Sequence, residues 1–175
     1  ISEKLVHQLN SFLPPSIAVK RIFMVKNDFH ARFDATYRTY EYYISLEKNP
    51  FSEKLAWQHW RKPLDVEKMN EACKILFEYS DFESFAKIGG DNKTNICKIY
   101  HANWEQNGNE LKFTISADRF LRNMVRAIVG TMVEIGSGKL KPTDLRKVIE
   151  AKNRNAAGTS APAHALFLVD VGYEF

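Results

Sequence analysis

Ile96-Cys97-Lys98-Ile99-Tyr100-His101-Ala102-Asn103-Trp104 and Leu111-Lys112-Phe113-Thr114-Ile115 flank Asn107-Gly108-Asn109. Two runs rich in β-branched and aromatic residues around Asn-Gly predict a β-hairpin, because a tight turn needs residues that accept positive φ. Downstream, Phe120 to Ile135 carries apolar residues at helical spacing and stops at Gly136-Ser137-Gly138. Pro142 to Ala151 predicts a further helix, and Leu166 to Tyr173 a last strand. Upstream, Pro63 and Asp65 start an amphipathic helix through Phe77, with Met69, Ala72, Cys73 and Leu76 on its apolar face. Gly89-Gly90-Asp91-Asn92 predicts a loop. Strands are predicted at Ala56 to Trp60, at Ala35 to Leu46, closed by Asn49-Pro50, and at Ile17 to Lys26. Ser2 to Phe12 reads as a helix with Ser2 as N-cap, ended by Pro14-Pro15. Strands joined by hairpins with helices between them predict an α+β fold. Its sheet is mainly antiparallel, with helices packed on one face.

The chain has 175 residues, 45% of them apolar, which suits one domain or two small ones sharing an interface; it is read as one domain spanning 1–175 with its own core. No apolar run reaches the ~18–20 residues of a membrane span. Residues 1–15 lack a basic segment followed by an apolar block, so they do not read as a secretion signal. Cys73 and Cys97 are too few for a disulfide framework and fit a reducing cytoplasm. The chain begins at Ile1 without an initiator Met, so it reads as processed or as part of something longer. A net charge of +4 favours polyanionic partners such as nucleic acid, although an ordinary basic protein has the same charge.

Chemistry has few anchors. The five histidines show no metal-ligand spacing, and no glycine pattern for a nucleotide cofactor is present. Period-2 geometry puts Thr36, Arg38, Tyr40, Tyr42 and Ile44 on one face of a strand. Arg beside two Tyr could stack a base and hold a phosphate, but the residues alone favour a half-buried strand with wet tyrosine tips. On the helix from Phe120, Arg126 falls at the rim of a wide apolar arc, with Arg122 one turn before it and Gly130 one turn after. A guanidinium at a core edge needs an anion, because burying it unpaired is costly. That anion is either a structural carboxylate or a group in a site, and no carboxylate of the sequence is its obvious partner. Gly130 would let a strand or ligand approach closely. The small-residue run from Ala156 to Ala163 suits a cleft wall.

Several stretches taken in order resemble the tRNA pseudouridine synthase A family. They are Leu9-Asn10-Ser11-Phe12-Leu13-Pro14, then Phe29-His30-Ala31-Arg32-Phe33-Asp34-Ala35-Thr36 with Tyr40-Glu41-Tyr42, and Asp81-Phe82-Glu83-Ser84-Phe85. Met124-Val125-Arg126-Ala127-Ile128-Val129-Gly130 and the ending from Ala157 to Leu168 complete the set. The resemblance is collinear over the whole chain. It implies isomerisation of uridine to pseudouridine in the anticodon stem-loop of tRNA (positions 38–40), without metal or cofactor, by a cytoplasmic homodimer. It gives Tyr40 the role of stacking on the target uracil and Arg126 that of pairing with the catalytic aspartate. His30, Arg32, Phe33, Arg38 and Arg122 join Tyr40 as expected substrate contacts.

The family's nucleophilic aspartate lies in an Arg-Thr-Asp-x-Gly-Val-His stretch, and no such stretch occurs here; Thr143-Asp144 lacks its flanking residues. The chain therefore reads as a C-terminal domain, inactive alone. Asp34 stands where the family often has Ser, and Asp118-Arg119 where Asn-Gly is more usual. A stand-alone RNA-binding module and a dimerisation module are the alternatives. The pair Tyr40 and Arg126 argues against both, since neither has a use for it.

Overall fold

A run dense in Thr, Tyr and Ile draws Ala35–Ser45 into the central strand of the computed structural model, which describes residues 3–90 and 93–174. In chain order the elements are α1 (Glu3–Phe12), β1 (Ala35–Ser45), β2 (Trp57–Gln58), α2 (Val66–Leu76), β3 (Ile99–Asn107), β4 (Glu110–Ala117), α3 (Met124–Gly136), α4 (Asp144–Glu150) and β5 (Leu166–Tyr173). They fall into two units, Ile1–Asp34 with Glu174–Phe175, and Ala35–Tyr173.

The larger unit is built on a five-stranded, mostly antiparallel sheet, and the architecture is α+β as the sequence predicts. β4 runs antiparallel along one edge of β1, with Tyr40 opposite Ile115 and Tyr42 opposite Phe113. β5 and β2 share the other edge, β5 antiparallel from Ala35 to Tyr42 and β2 parallel at Ile44–Ser45. β3 and β4 meet at a two-residue turn in which Gly108 takes φ +58, the conformation the Asn-Gly signal anticipates.

Alternate residues of the strands point to one face, and there the core forms. Tyr42 and Ile44 of β1 join Leu111, Phe113 and Ile115 of β4 and Trp104 of β3, all buried. Met69 and Leu76 of α2 and Ile128 and Met132 of α3 cover them. Asn70 fixes α2 to β3 at both backbone groups of Trp104, donating from Nδ2 to its carbonyl at 2.9 Å and accepting from its N–H at 2.7 Å. The opposite face is polar. There Lys112 lies 2.9 Å from Glu105, and Tyr43 donates to Glu41. Asp65 caps α2 by accepting from the Lys68 N–H at 3.1 Å, and Gly138 at φ +77 follows the end of α3.

Two expectations fail. Ile17 to Lys26 forms no strand: the Asn10 side chain, not a second strand, holds both backbone groups of Val19, and Ile17, Phe23, Met24 and Val25 stay exposed. In this unit none of the described residues is buried, so the apolar pattern had no core to face. The long helix begins at Met124 rather than Phe120, because Asn123 adopts φ +71. Asn tolerates the left-handed region better than most residues. Arg122 is therefore not one helical turn before Arg126. Helix α1 starts at Glu3, and the Ser2 cap, like Asp91 and Asn92 of the glycine loop, lies outside the described residues.

Candidate functional site

Tyr40 and Tyr42 lie on the core side of β1, about 7 Å apart along the strand. Tyr42 is fully buried, and its hydroxyl donates to the Pro162 carbonyl at 2.9 Å. Tyr40 is only partly buried, its ring edge-on to Phe120 at 5.2 Å between centroids. One residue before Pro162, the Ala161 carbonyl accepts from Arg126 Nε at 2.6 Å, while the Ala161 N–H donates to the Arg126 carbonyl at 2.9 Å. Adjacent carbonyls of one loop thus hold Tyr42 and Arg126. Burial pushes the Tyr42 hydroxyl well above its ordinary pKa, with the charge of Arg126 opposing that rise, so Tyr42 remains a donor.

The loop sits on α3 because two glycines permit it. A Cβ on Gly130 would lie 1.8 Å from the Thr159 carbonyl oxygen, and one on Gly158 would meet the backbone of Gly130 and Thr131 at 3.0 Å. The close approach expected at Gly130 is made by this loop. Thr131 Oγ1 accepts from the Gly158 N–H at 2.9 Å. Arg154 secures the other side, donating to the carbonyl of Gly158 at 3.1 Å and to Ser160 Oγ at 2.7 Å. Asn123 Nδ2 also donates to Ser160 Oγ, at 2.7 Å.

The guanidinium that results is half-buried. Among the described residues no carboxylate lies within ion-pair distance of Arg126. With Nε committed to Ala161, its terminal nitrogens are the groups left to meet an anion.

The other expected contacts are placed differently. Arg38 donates from Nη1 to the carbonyls of Ala35 and Asp118, both at 2.7 Å, so it ties β1 to the end of β4. Arg122 is exposed, and its carbonyl accepts from the Lys87 N–H at 2.9 Å. His30, Arg32 and Phe33 belong to the other unit, where they form a turn. His30 Nδ1 accepts from the Arg32 N–H at 3.1 Å, and Asp34 accepts from the His30 N–H at 2.6 Å. That turn presents Phe33 to solvent with the Arg32 guanidinium over its ring. Asp118 accepts from the Lys98 and Arg119 N–H groups, both at 2.7 Å. Both unusual acids therefore have local structural partners.

Pro162, Ala161, Phe120 and Arg154 were not marked as site residues by the sequence. Two of them act through backbone carbonyls, which carry no side-chain signal. The small-residue run next to Gly130 was the available clue.

A profile of the tRNA pseudouridine synthase family matches residues 72–174. Proteins described as tRNA pseudouridine synthase A are similar along nearly the whole chain. That of Parabacteroides distasonis is 57% identical over 169 residues, 97% of this chain and 67% of its own length. That of Bacteroides fragilis is 57% identical over 98% of this chain and 68% of its own length. That of Bacillus subtilis is 38% identical over 99% and 70%. The chain thus spans about two thirds of these relatives. With a family profile over more than half its residues and relatives this similar, the chain belongs to the tRNA pseudouridine synthase family, whose chemistry is the isomerisation of uridine.

Proposed function

We propose that this chain is the part of a tRNA pseudouridine synthase that stacks the target uracil and clamps the catalytic aspartate, acting on the anticodon stem-loop. The observation that carries this reading is Arg126, a half-buried guanidinium without a carboxylate partner among the described residues. From α3 it donates to the Ala161 carbonyl, next to the Pro162 carbonyl that accepts from Tyr42, and Tyr40 is two residues before Tyr42 on β1. The aspartate is supplied by a segment carrying the family's Arg-Thr-Asp-x-Gly-Val-His stretch. Its carboxylate attacks the nucleotide, the bond from ribose C1′ to N1 breaks, the uracil turns, and C1′ bonds to C5 as the carboxylate is released. The proton leaves C5 and N1 gains one, so substrate and product are isomers and no cofactor is consumed. Arg126 holds the carboxylate ionised and oriented for that attack. Tyr40 offers an aromatic face to a uracil taken out of its stack, which a paired base could not reach. His30, Arg32, Phe33, Arg38 and Arg122 serve as further RNA contacts, and the whole protein works as a cytoplasmic homodimer.

Arg126→Ala and Tyr40→Ala in the full-length protein test this. Each should lower turnover on unmodified tRNA at least ~100-fold, the scale of losing one preorganised charge. Most affinity should remain, because it comes from many phosphate contacts. Equal loss of affinity and turnover would show that the roles are misassigned.

A further inference from the structure

A second cationic site lies beyond β2. Lys48 Nζ lies over the Trp60 ring at 4.9 Å from its centroid, and the Arg61 guanidinium over the same ring at 5.2 Å. Trp60 is 44% exposed, although large aromatic side chains gain by burial. Lys62 lies close enough that its charge, after burial, helps hold His59 below the usual imidazole pKa. Six other cations, among them Lys112, Arg146 and Lys152, are matched to carboxylates. Among the described residues Lys48, Arg61 and Lys62 form no such pair. The nearest acid in sequence to Lys48, Glu47, has its carboxylate occupied in accepting from Asn109 Nδ2 at 2.8 Å.

This arrangement suits a phosphate backbone. Cation–π contact restrains two long side chains in advance, so less ordering is lost when an anion arrives. The exposed part of the indole remains available to a ribose or base. Its position fits an extended ligand. Ser45 is five positions on from Tyr40, its register partner is Gln58, and Trp60 is two residues after Gln58. At strand spacing the Ser45–Gln58 pair lies roughly 16 Å along the sheet from Tyr40, and Trp60 lies beyond β2. A group bound there contacts RNA several nucleotides away from the base being modified.

We propose that Lys48, Trp60, Arg61 and Lys62 form a contact for the sugar–phosphate backbone of the tRNA, separate from the site around Tyr40 and Arg126. The proposal rests on tRNA being the substrate.

The test is tRNA affinity of the full-length protein across a salt series, with turnover at saturating tRNA measured alongside. K48Q/R61Q/K62Q should flatten the slope of log K against log salt by about 2, since each lost phosphate contact removes somewhat under one unit. It should weaken binding at low salt about tenfold or more, while turnover at saturation stays within about twofold. K139Q/K147Q removes two cations already paired with carboxylates, and should leave the slope unchanged. An equal slope in K48Q/R61Q/K62Q and the parent overturns the proposal, as does an equal flattening in both variants. A parent that neither binds nor modifies tRNA overturns the underlying reading instead.

Discussion

Tyr42 joins the core to the candidate site through one hydroxyl. Its ring is fully buried against β4, and its oxygen reaches the loop that also holds Arg126. Tyr42→Phe keeps the packing and deletes that bond. It should lower stability by about 1 kcal/mol, the net worth of a typical hydrogen bond, read by denaturant unfolding. Turnover should fall less than in Arg126→Ala, because the guanidinium keeps its own bond to Ala161. Arg126→Lys preserves charge but not the Nε donor or the planar fork. It should fold like the parent yet lose most turnover, and near-parental kcat would argue that charge alone suffices. At this scale the sequence was partly legible. An Arg at the rim of an apolar arc needs an anion, and that much follows from its neighbours. That Arg38 Nη1 would donate to the carbonyls of Ala35 and Asp118 was invisible, because strand periodicity gives a face and not a partner.

Among the elements, α3 and the loop from Ala157 to Pro162 behave as one piece. Gly130 is where they touch, and no side chain fits beneath the Thr159 carbonyl. Gly130→Ala would improve helix propensity in isolation by up to about 1 kcal/mol. Here it should instead destabilise by about 1–3 kcal/mol, because backbone must move, and a thermal melt decides the sign. The displaced loop should also take Ala161 from Arg126, so turnover should drop with it. The β3–β4 hairpin and α2 were legible because their turn and cap signals coincide with their periodicity. The start of α3 was not. Phe120 and Leu121 continue the helical apolar pattern, and only the backbone of Asn123 breaks it. The false strand at Ile17 to Lys26 shows the complementary failure, since β propensity without a partner makes no ladder.

Over the whole molecule, charge is sorted. Glu78, Asp81, Glu105 and Asp144 are each held below the ordinary carboxylate range, chiefly by hydrogen bonds from Arg146, Lys152, Lys112 and Lys147. A pKa depressed on folding gives stability that is present above the unfolded value and lost as pH falls from there through the folded one. The melting temperature should therefore be flat from about pH 7 to 5.5 and decline below about 4.5. The decline should be gradual, since exposed pairs contribute little individually. A loss of stability between pH 7 and 6 would show that another group dominates. The cations outside these pairs include Arg126, which donates to the Ala161 carbonyl, and Lys48 and Arg61 over the Trp60 ring beyond β2. Overall positive charge was legible from composition, but this sorting was not, because it depends on which carboxylates the fold brings beside which lysines. The most direct measurement is pseudouridine formation on unmodified tRNA by this chain alone and by the same chain joined to an upstream segment carrying Arg-Thr-Asp-x-Gly-Val-His. The account predicts product only from the joined protein, and none when Arg126 is replaced by Ala within it. Product from the chain alone would place the nucleophile among its own carboxylates and contradict the role given to Arg126.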